Sequence, residues 1–310
     1  CDILIDKAKL IASEYSIPFY SSINEMMTNE KIDVAVVLTP SGLHAEHVIA
    51  LSEYKCDIIV EKPMALTVAD ANKMIEACVK GNNRLFVVKQ NRFNKPIIKL
   101  REAIENNYFG KIFLGTIRVR WSRDQDYYDQ DEWRGTWKFD GGVIGNQASH
   151  HIDMLEWMMG DVESVYAYTK TALVNIEAED TAAIQLKWRD GALGTMAVTM
   201  LTYPKNLEGS ITLLGETGTV KIGGPAVNQI EHWSFADESP DDALVEQASY
   251  ETTSIYGFGH PPYYANMIDA LQGKAEALCD GEQGLLSLEL LTAAYRSAKE
   301  CRVVSLPLEI

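Results

Sequence analysis

The first ninety residues alternate segments of helically spaced apolar side chains with short, continuously apolar runs. Residues 33–38 are such a run, typical of a strand buried on both faces of a parallel sheet. We predict further strands at 18–20, 58–60 and 85–89. The predicted helices cover residues 3–16, 43–54 and 67–80, with another beginning at Ser22. Strands separated by helices predict a doubly wound α/β domain with a Rossmann-like parallel sheet.

After about residue 110, apolar and polar positions alternate, which indicates strands with one exposed face. We predict a mainly antiparallel sheet, with the domain boundary near residues 93–110. The predicted domains are therefore residues 1–93 and 94–310. The predicted strands are 112–121, 163–172, 181–188, 192–202, 209–214, 218–222 and 303–306, and the helices are 146–159, 261–272 and 284–299.

Alternating apolar residues in two of these strands suggest an apolar outer face on the antiparallel sheet. They are Ile117 and Val119 in the first strand, and Met196, Val198 and Met200 in the second. An exposed apolar face is typical of a surface that pairs with another subunit. We therefore expect a homodimer or homotetramer assembled through this sheet.

Composition narrows the class of protein. The chain has 310 residues and a formal net charge of −16, without a cluster of basic residues, which argues against nucleic acid as a partner. Its five cysteines are scattered and form no C-x-x-C pair, which favours a reduced cytoplasmic protein without a metal site. No apolar run approaches the ~20 residues of a membrane span, so no membrane partner is expected.

The carboxyl ends of the parallel strands are where such sheets bind ligands. Asp2 precedes the first helix, where it either caps that helix or binds the ribose hydroxyls of a dinucleotide. Thr39, Pro40 and His44 follow strand 33–38, in a turn that either only joins strand and helix or lets the backbone approach a ligand. The G-x-G-x-x-G fingerprint of dinucleotide domains is absent from this chain.

Charged and polar residues also follow the next two predicted strands. Glu61 and Lys62 come directly after 58–60, and we expect Lys62 to project into the crevice. Burial there would lower its pKa, so that it either binds a substrate oxygen or moves a proton, unless the pair is structural. Lys89 and Asn91 end the last parallel strand, where strand alternation would place both on one side.

A glycine-rich segment in the second half carries further candidates. Asn146 and His150 have the i, i+4 spacing that places both on one helix face. Histidine is the natural acid or base at neutral pH, and Asn146 would hold substrate beside it. Asn is a weak metal ligand and no third ligand is near, so we predict no metal. The alternative is a structural histidine.

Arg134 lies between Trp133 and Trp137, upstream of this segment. A guanidinium binds carboxylate or phosphate in a bidentate manner, and the indoles would exclude water. The segment is therefore either an anion clamp or an aromatic surface loop with a local Arg–Glu pair.

Together these motifs resemble those of the Gfo/Idh/MocA family of NAD(P)-dependent sugar and inositol oxidoreductases. The resemblance implies a Rossmann domain, a C-terminal α/β domain with a large open antiparallel sheet, and hydride transfer between a sugar carbon and nicotinamide. The matching motifs are Thr39-Pro40 with His44, Glu61-Lys62-Pro63, Gly141-Gly142 with Asn146-x-x-x-His150, and Ser297-Ala298 with Arg302-Val303-Val304 and Leu306-Pro307.

The resemblance also assigns roles to individual residues. It implies that Lys62 and His150 are the active-site lysine and histidine, and that Asn146 stands where many members have Asp. Family members open with a strand and glycine loop of about 30 residues that this chain lacks, so Asp2 matches the ribose-binding acid. NAD is accordingly the expected cofactor. The expected cofactor contacts are Asp2, Thr39, Pro40, His44, Glu61 and Lys62, and the expected substrate contacts are Lys62, Lys89, Asn91, Arg134, Asn146 and His150.

Within the family, the segments 88–94, 127–137 and 145–153 are similar to those of UDP-N-acetylglucosaminuronate 3-dehydrogenases. That similarity implies oxidation of the C3 hydroxyl of a UDP-sugar in surface-polysaccharide (including lipopolysaccharide) synthesis, in some members with hydride returned to 2-oxoglutarate. His150 is then the favoured base and Lys62 polarises the oxygen, although the reverse assignment stays open. The alternatives are a dehydrogenase of a free sugar or inositol, and a non-catalytic NAD- or sugar-binding protein.

Overall fold

A small parallel sheet organises the first part of the protein. The computed structural model describes residues 1–237 and 245–309. Its first sheet has the order β1-β2-β3, with both pairs parallel. These elements are β1 (Val34–Val37), β2 (Asp57–Val60) and β3 (Leu85–Val87), with α1 (Ile5–Tyr15), α2 (Ile23–Asn29), α3 (His44–Leu51) and α4 (Val68–Gly81). The predicted α/β class is confirmed.

Helix boundaries in this part follow local capping chemistry. The hydroxyl oxygen of Ser22 accepts a hydrogen bond from the Glu25 amide (3.2 Å), and Thr67 does the same for Asp70 (3.1 Å). The expected strand at 18–20 is wrong. Among the described residues, only the Tyr20 carbonyl accepts a backbone hydrogen bond there, from the Asp2 amide, and no strand lies alongside to complete a ladder.

A larger sheet of eight strands organises the second part, in the order β10-β9-β8-β4-β7-β6-β5-β11 among the described residues. The expected antiparallel sheet is mixed, because β4 pairs parallel with β7 at its centre. Its strands are β4 (Ile112–Arg120), β5 (Val162–Lys170), β6 (Thr181–Trp188), β7 (Leu193–Thr199), β8 (Glu208–Gly215), β9 (Gly218–Gly223), β10 (Gln229–Phe235) and β11 (Val304–Ser305). The sequence patterns did not predict β10.

Five helices accompany this sheet in the described ranges. They are α5 (Lys95–Glu105), α6 (Gln125–Tyr128), α7 (Ser149–Met159), α8 (His260–Leu271) and α9 (Gly281–Glu300). Helix α9 packs against β5 and α7 of the second part and against α4 and β3 of the first. The Val87 amide of β3 also donates to the Cys279 carbonyl (2.9 Å), so the segment before α9 extends the first sheet at its edge.

The apolar residues expected on the outer face of the large sheet lie instead on its buried face. They share one core with Ile152 and Leu155 of α7. Alternation with period two shows which residues share a face, but it does not show which face meets solvent. The residues concerned are Ile117, Val119, Met196, Val198 and Met200, none more than 2% exposed. The opposite face carries mainly polar and small residues, among them Arg118, Thr195 and Ala197, together with the exposed Tyr168 and Leu193.

A buried ion cluster joins the first sheet to α7. Arg92 donates from Nε and Nη2 to the two carboxylate oxygens of Asp153, both at 2.8 Å. Lys89 Nζ lies 3.3 Å from the same carboxylate and donates to Ser287 Oγ of α9. Burial raises the pKa of Asp153, but the two cations outweigh this and hold that pKa below its usual value.

Asp153→Asn should destabilise the protein strongly, because it leaves two buried cations without a balancing charge. We expect the free energy of unfolding to fall by about 3–5 kcal/mol, measured by urea denaturation. Glu163→Gln is the control. It breaks a half-exposed pair with Lys187 and should change stability by about 1 kcal/mol or less. Equal effects of the two substitutions would contradict this role for the cluster.

Candidate active site

Lys62 reaches from the carboxyl end of β2 to the segment before α7. Its Nζ donates to the backbone carbonyl and to Oδ1 of Asn146, both at 3.0 Å. Burial lowers the pKa of Lys62, although Glu61 and Asp140 act in the opposite direction. The ammonium therefore loses its proton more readily than an exposed lysine would.

Asp140 fixes the orientation of the Asn146 amide. Asn146 Nδ2 donates to Asp140 Oδ1, so Asn146 Oδ1 is turned toward Lys62. The second oxygen of Asp140 accepts from the Gly135 amide (2.7 Å). Asp140 is buried, which raises its pKa. Lysine, asparagine and aspartate thus form one hydrogen-bonded chain.

The expectation that Asn146 and His150 share a helix face is wrong, because α7 begins only at Ser149. Asn146 lies in the preceding turn, where its amide donates to the Gly142 carbonyl (2.9 Å). Glycines let the chain turn here: Gly141 has φ = +81°.

Tyr295 and Glu179 hold this glycine segment from behind. The Tyr295 hydroxyl accepts from the amides of Gly142 (3.1 Å) and Gly145 (2.9 Å), and donates to Glu179 Oε1 (3.0 Å). A Cβ at Gly142 would lie 2.0 Å from Glu179 Oε2, so only glycine fits there. Burial raises the pKa of Glu179 to about 7.

His150 lies in the first turn of α7 and is buried. Its Nε2 is 2.9 Å from Nε2 of Gln90, and its Nδ1 has no hydrogen-bond partner in the described ranges. Burial, together with the positive charges of Lys62 and Lys89, lowers the pKa of His150 well below its usual value. The ring is therefore neutral at pH 7 and able to accept a proton.

The predicted strand alternation of Lys89 and Asn91 is wrong, because β3 ends at Val87 and residues Gln90–Phe93 form a 3-10 turn. Lys89 points to Asp153 and Ser287, so its charge is already balanced by protein. Asn91 is buried, and its Oδ1 has no partner among the described residues. Such an orphaned acceptor is suited to a ligand that enters the crevice.

The predicted cofactor contacts lie at the ends of the first two strands and at the start of the chain. Asp2 Oδ1 accepts from the Leu4 amide (2.8 Å), but the N-cap of α1 is Leu4, so Asp2 does not cap this helix, and its contact with the ribose hydroxyls of NAD stays a prediction. His44 links two turns: its ring nitrogens lie 2.9 Å from the Pro63 carbonyl and 2.8 Å from the Thr39 carbonyl. Contacts of NAD with His44, Thr39, Pro40 and Glu61 stay predictions.

Arg134 is paired within its own segment. Its Nε donates to Asp131 (2.9 Å), and its guanidinium lies over the rings of Tyr127 (4.5 Å) and Trp133 (4.9 Å). The expected flanking by Trp137 is wrong, because that indole packs edge-on against Tyr295 (5.3 Å). An open cleft of about 590 Å³ lies beside Arg134 and is lined by four carboxylates. They are Asp129, Asp131, Glu132 and Glu177.

Four residues at this site were not singled out by sequence reasoning. Gln90 stands inside the strand-end motif, and Asp140 directly precedes the glycine pair, so position was a usable signal for both. Glu179 and Tyr295 carry no local signal, since the fold brings them in from the segment before β6 and from α9, far along the chain. In residues 1–237 and 245–309 there is no cluster of three or more metal-binding side chains, and no helix is long and apolar enough to cross a bilayer.

A parallel sheet with a buried lysine and histidine at its strand ends defines a Rossmann-type oxidoreductase. The chain belongs to the Gfo/Idh/MocA family. Residues 1–89 match the NAD-binding Rossmann fold of this oxidoreductase family, and residues 101–306 match its C-terminal α/β domain. The resemblance drawn from the motifs is therefore confirmed, as is NAD as the cofactor.

Individual relatives include both nucleotide-sugar and inositol enzymes. A WlbA dehydrogenase of Bordetella pertussis, solved with NADH and UDP-GlcNAcA, is 49% identical, with a TM-score of 0.97 over 100% of this chain and 89% of that chain. A WlbA dehydrogenase of Chromobacterium violaceum is 47% identical, with a TM-score of 0.95 over 100% of this chain and 88% of that chain. Myo-inositol 2-dehydrogenase of Thermotoga maritima is 28% identical over 93% of this chain and 84% of its own.

Glu179→Gln should make stability less sensitive to pH. A carboxyl whose pKa rises to about 7 on folding binds its proton more tightly in the folded state. The wild type therefore loses stability as the pH rises from the unfolded pKa toward 7, whereas glutamine does not titrate. The variant should gain about 2–3 kcal/mol over the wild type between pH 5 and pH 8, measured by urea unfolding at each pH. A pH-independent difference would contradict the buried, protonated Glu179.

Proposed function

We propose that this protein is an NAD-dependent dehydrogenase that oxidises the C3 hydroxyl of a UDP-N-acetylglucosaminuronate-type sugar to a ketone. One observation carries the proposal. A lysine of lowered pKa, held by Asn146, lies at the same strand ends as a neutral, buried histidine with a free ring nitrogen. Together these two side chains can remove a proton from a hydroxyl group.

Bound NAD would supply the hydride acceptor, and the side chains of this protein handle the proton. His150 takes the hydroxyl proton as the general base, since its ring is neutral at pH 7. Lys62 donates a hydrogen bond to the same oxygen and stabilises the negative charge that develops on it. Asn146 and Asp140 keep the Lys62 ammonium in place.

The substrate class is supported by likeness to two WlbA dehydrogenases solved with UDP-GlcNAcA, at 47–49% identity. We further propose that Asn91 and Asn146 bind the sugar, that Arg134 binds the uronate or a phosphate, and that Lys89 supports the site through Asp153. Residues 1–93 would bind the cofactor, and residues 94–310 would bind the substrate together with Lys62 and Asn91 of the first part.

A dehydrogenase of a neutral sugar or inositol is the second candidate. The ion pair between Arg134 and Asp131 favours it, because a guanidinium that already has a carboxylate partner binds a second one less readily. The acidic lining of the neighbouring cleft points the same way. The relationship to a myo-inositol dehydrogenase is compatible with it.

The biological setting is also part of the proposal. We infer a role in surface-polysaccharide sugar synthesis in the cytoplasm, where five free cysteines stay reduced. We also infer a homodimer or homotetramer assembled through the uncovered face of the large sheet, on which the large side chains of Tyr168 and Leu193 are exposed. To test whether hydride is returned to 2-oxoglutarate, 2-oxoglutarate is added to the enzyme with the UDP-sugar, and the formation of 2-hydroxyglutarate is measured.

Lys62→Ala should lower kcat by about 10²-fold, the usual scale for a positioned proton-transfer group. NADH formation with UDP-GlcNAcA is the measurement. Lys73→Ala, which removes an exposed pair with Asp70, is the control and should leave kcat unchanged. If Lys62→Ala retains normal kcat while remaining folded, the lysine is structural.

Arg134→Ala discriminates between the two candidate substrates. If Arg134 binds the uronate, its loss should raise KM for UDP-GlcNAcA by about 30- to 1000-fold, and much less for UDP-GlcNAc, which lacks the carboxylate. Arg134→Lys should rescue only partly, because an ammonium lacks the planar fork. If KM rises equally for both sugars, Arg134 only supports its loop, and if it changes for neither, the neutral-sugar candidate gains.

A further inference from the structure

Gln90 is a buried amide in direct contact with His150, and the mechanism above assigns it no role. Its side chain is 2% exposed, and its Nε2 lies 2.9 Å from the Nε2 of His150. Its Oε1 has no hydrogen-bond partner in the described ranges, and neither has His150 Nδ1. An amide and an imidazole therefore share one contact in a buried space, each with one polar atom left over.

The backbone holds Gln90 in place from the opposite side. A Cβ on Gly259 would lie 1.9 Å from the Gln90 carbonyl oxygen, so the segment before α8 packs directly on this peptide. Phe93, at the end of the same 3-10 turn, packs edge-on against Tyr263 of α8 (5.8 Å between ring centroids). The backbone that carries the Gln90 side chain is therefore packed against α8 and the segment before it.

In a neutral imidazole, this contact determines which ring nitrogen carries the hydrogen. One ring nitrogen carries a hydrogen and the other a lone pair, so the partner of one nitrogen determines what the other offers. When the Gln90 amide donates to Nε2, the hydrogen of His150 lies on Nδ1. When the amide is turned by 180° and Oε1 accepts from Nε2–H, Nδ1 has the lone pair. The 2.9 Å contact serves either arrangement, so the orientation of the Gln90 amide and the tautomer of His150 are set together.

We propose that Gln90 is a positioning residue that selects the tautomer of His150, occupying Nε2 and leaving Nδ1 as the nitrogen that exchanges a proton with the reacting oxygen. The exchange of a proton between Nδ1 and the reacting oxygen rests on the proposed function. In the base form, Oε1 faces Nε2–H, the hydroxyl proton moves to Nδ1, and the resulting imidazolium keeps Oε1 as acceptor for Nε2–H. The proton is conserved on the ring until solvent removes it.

The electrostatic surroundings explain why a neutral acceptor is needed here. The titratable groups whose charges act on His150 are Lys62, Lys89, His151 and His260, and all of them disfavour the imidazolium. None supplies an acceptor for Nε2–H. The Gln90 oxygen supplies one without adding a charge to the buried space, whereas a carboxylate would fix the proton on the ring.

The test is nitrogen-15 NMR of labelled histidine in the substrate-free protein, with the His150 signals assigned by comparison with His150→Gln. Gln90→Glu should raise the pKa of His150 by about 1–3 units and shift the acidic limb of kcat to higher pH, because its carboxylate stabilises the imidazolium. Gln90→Leu should abolish the single tautomer and lower kcat by about tenfold or more, with KM little changed. Gln185→Glu, an exposed position on β6, is the matched control and should leave the His150 signals unchanged.

Identical His150 tautomer and pKa in wild type, Gln90→Leu and Gln90→Glu would overturn the proposal. If Gln90→Leu does not fold, the pKa of His150 in Gln90→Glu and the tautomer of His150 in the wild type still test the proposal. The NMR readout needs no substrate, so it also separates this inference from the proposed function. A protein that shows the expected histidine shifts but does not oxidise UDP-GlcNAcA would refute the substrate and leave the role of Gln90 intact.

Discussion

One buried carboxylate, Asp153, determines how the two parts of the protein meet. It balances Arg92 and Lys89 from the end of β3, and Lys89 also reaches Ser287 of α9. Withdrawing three ionic groups from water is tolerated only when each has its partners, so the cluster favours one docking of α7 on the first sheet. His150 lies one turn before Asp153 on the same helix. The geometry that satisfies the ion cluster therefore also places the histidine at the strand ends.

At the active site, in contrast, the surroundings disfavour the charged forms of the side chains. Asp153 has cations in contact, whereas His150 is buried among positive charges and Lys62 is bonded to neutral oxygens. Both groups are consequently easier to deprotonate than in water. Such an arrangement is unfavourable for folding but suits proton transfer near neutral pH. The hydrophobic core under the large sheet offsets that unfavourable contribution.

The sequence predicted those features that depend on local pattern. The continuously apolar runs of β1 and β2 predicted a parallel sheet, and Thr67 predicted the start of α4 through its capping hydroxyl. Features that depend on tertiary partners were out of reach. Spacing placed Asn146 on a helix that begins three residues later, and it suggested a local Arg–Glu pair for Arg134, whereas the partner is Asp131. Alternation likewise cannot tell which face of a sheet its helices cover, as Ile117 shows.

The amide at position 146 changes the acid–base balance of the site. A carboxylate in direct contact with Lys62 would stabilise the ammonium and raise its pKa by about 1–3 units. An amide oxygen accepts the same hydrogen bond without the charge, and the Asp140 carboxylate lies one residue further along the chain of hydrogen bonds. Asp140 thus orients Asn146 while its charge reaches Lys62 only at a distance. The lysine keeps its geometry and its lowered pKa together, which a direct ion pair would not allow.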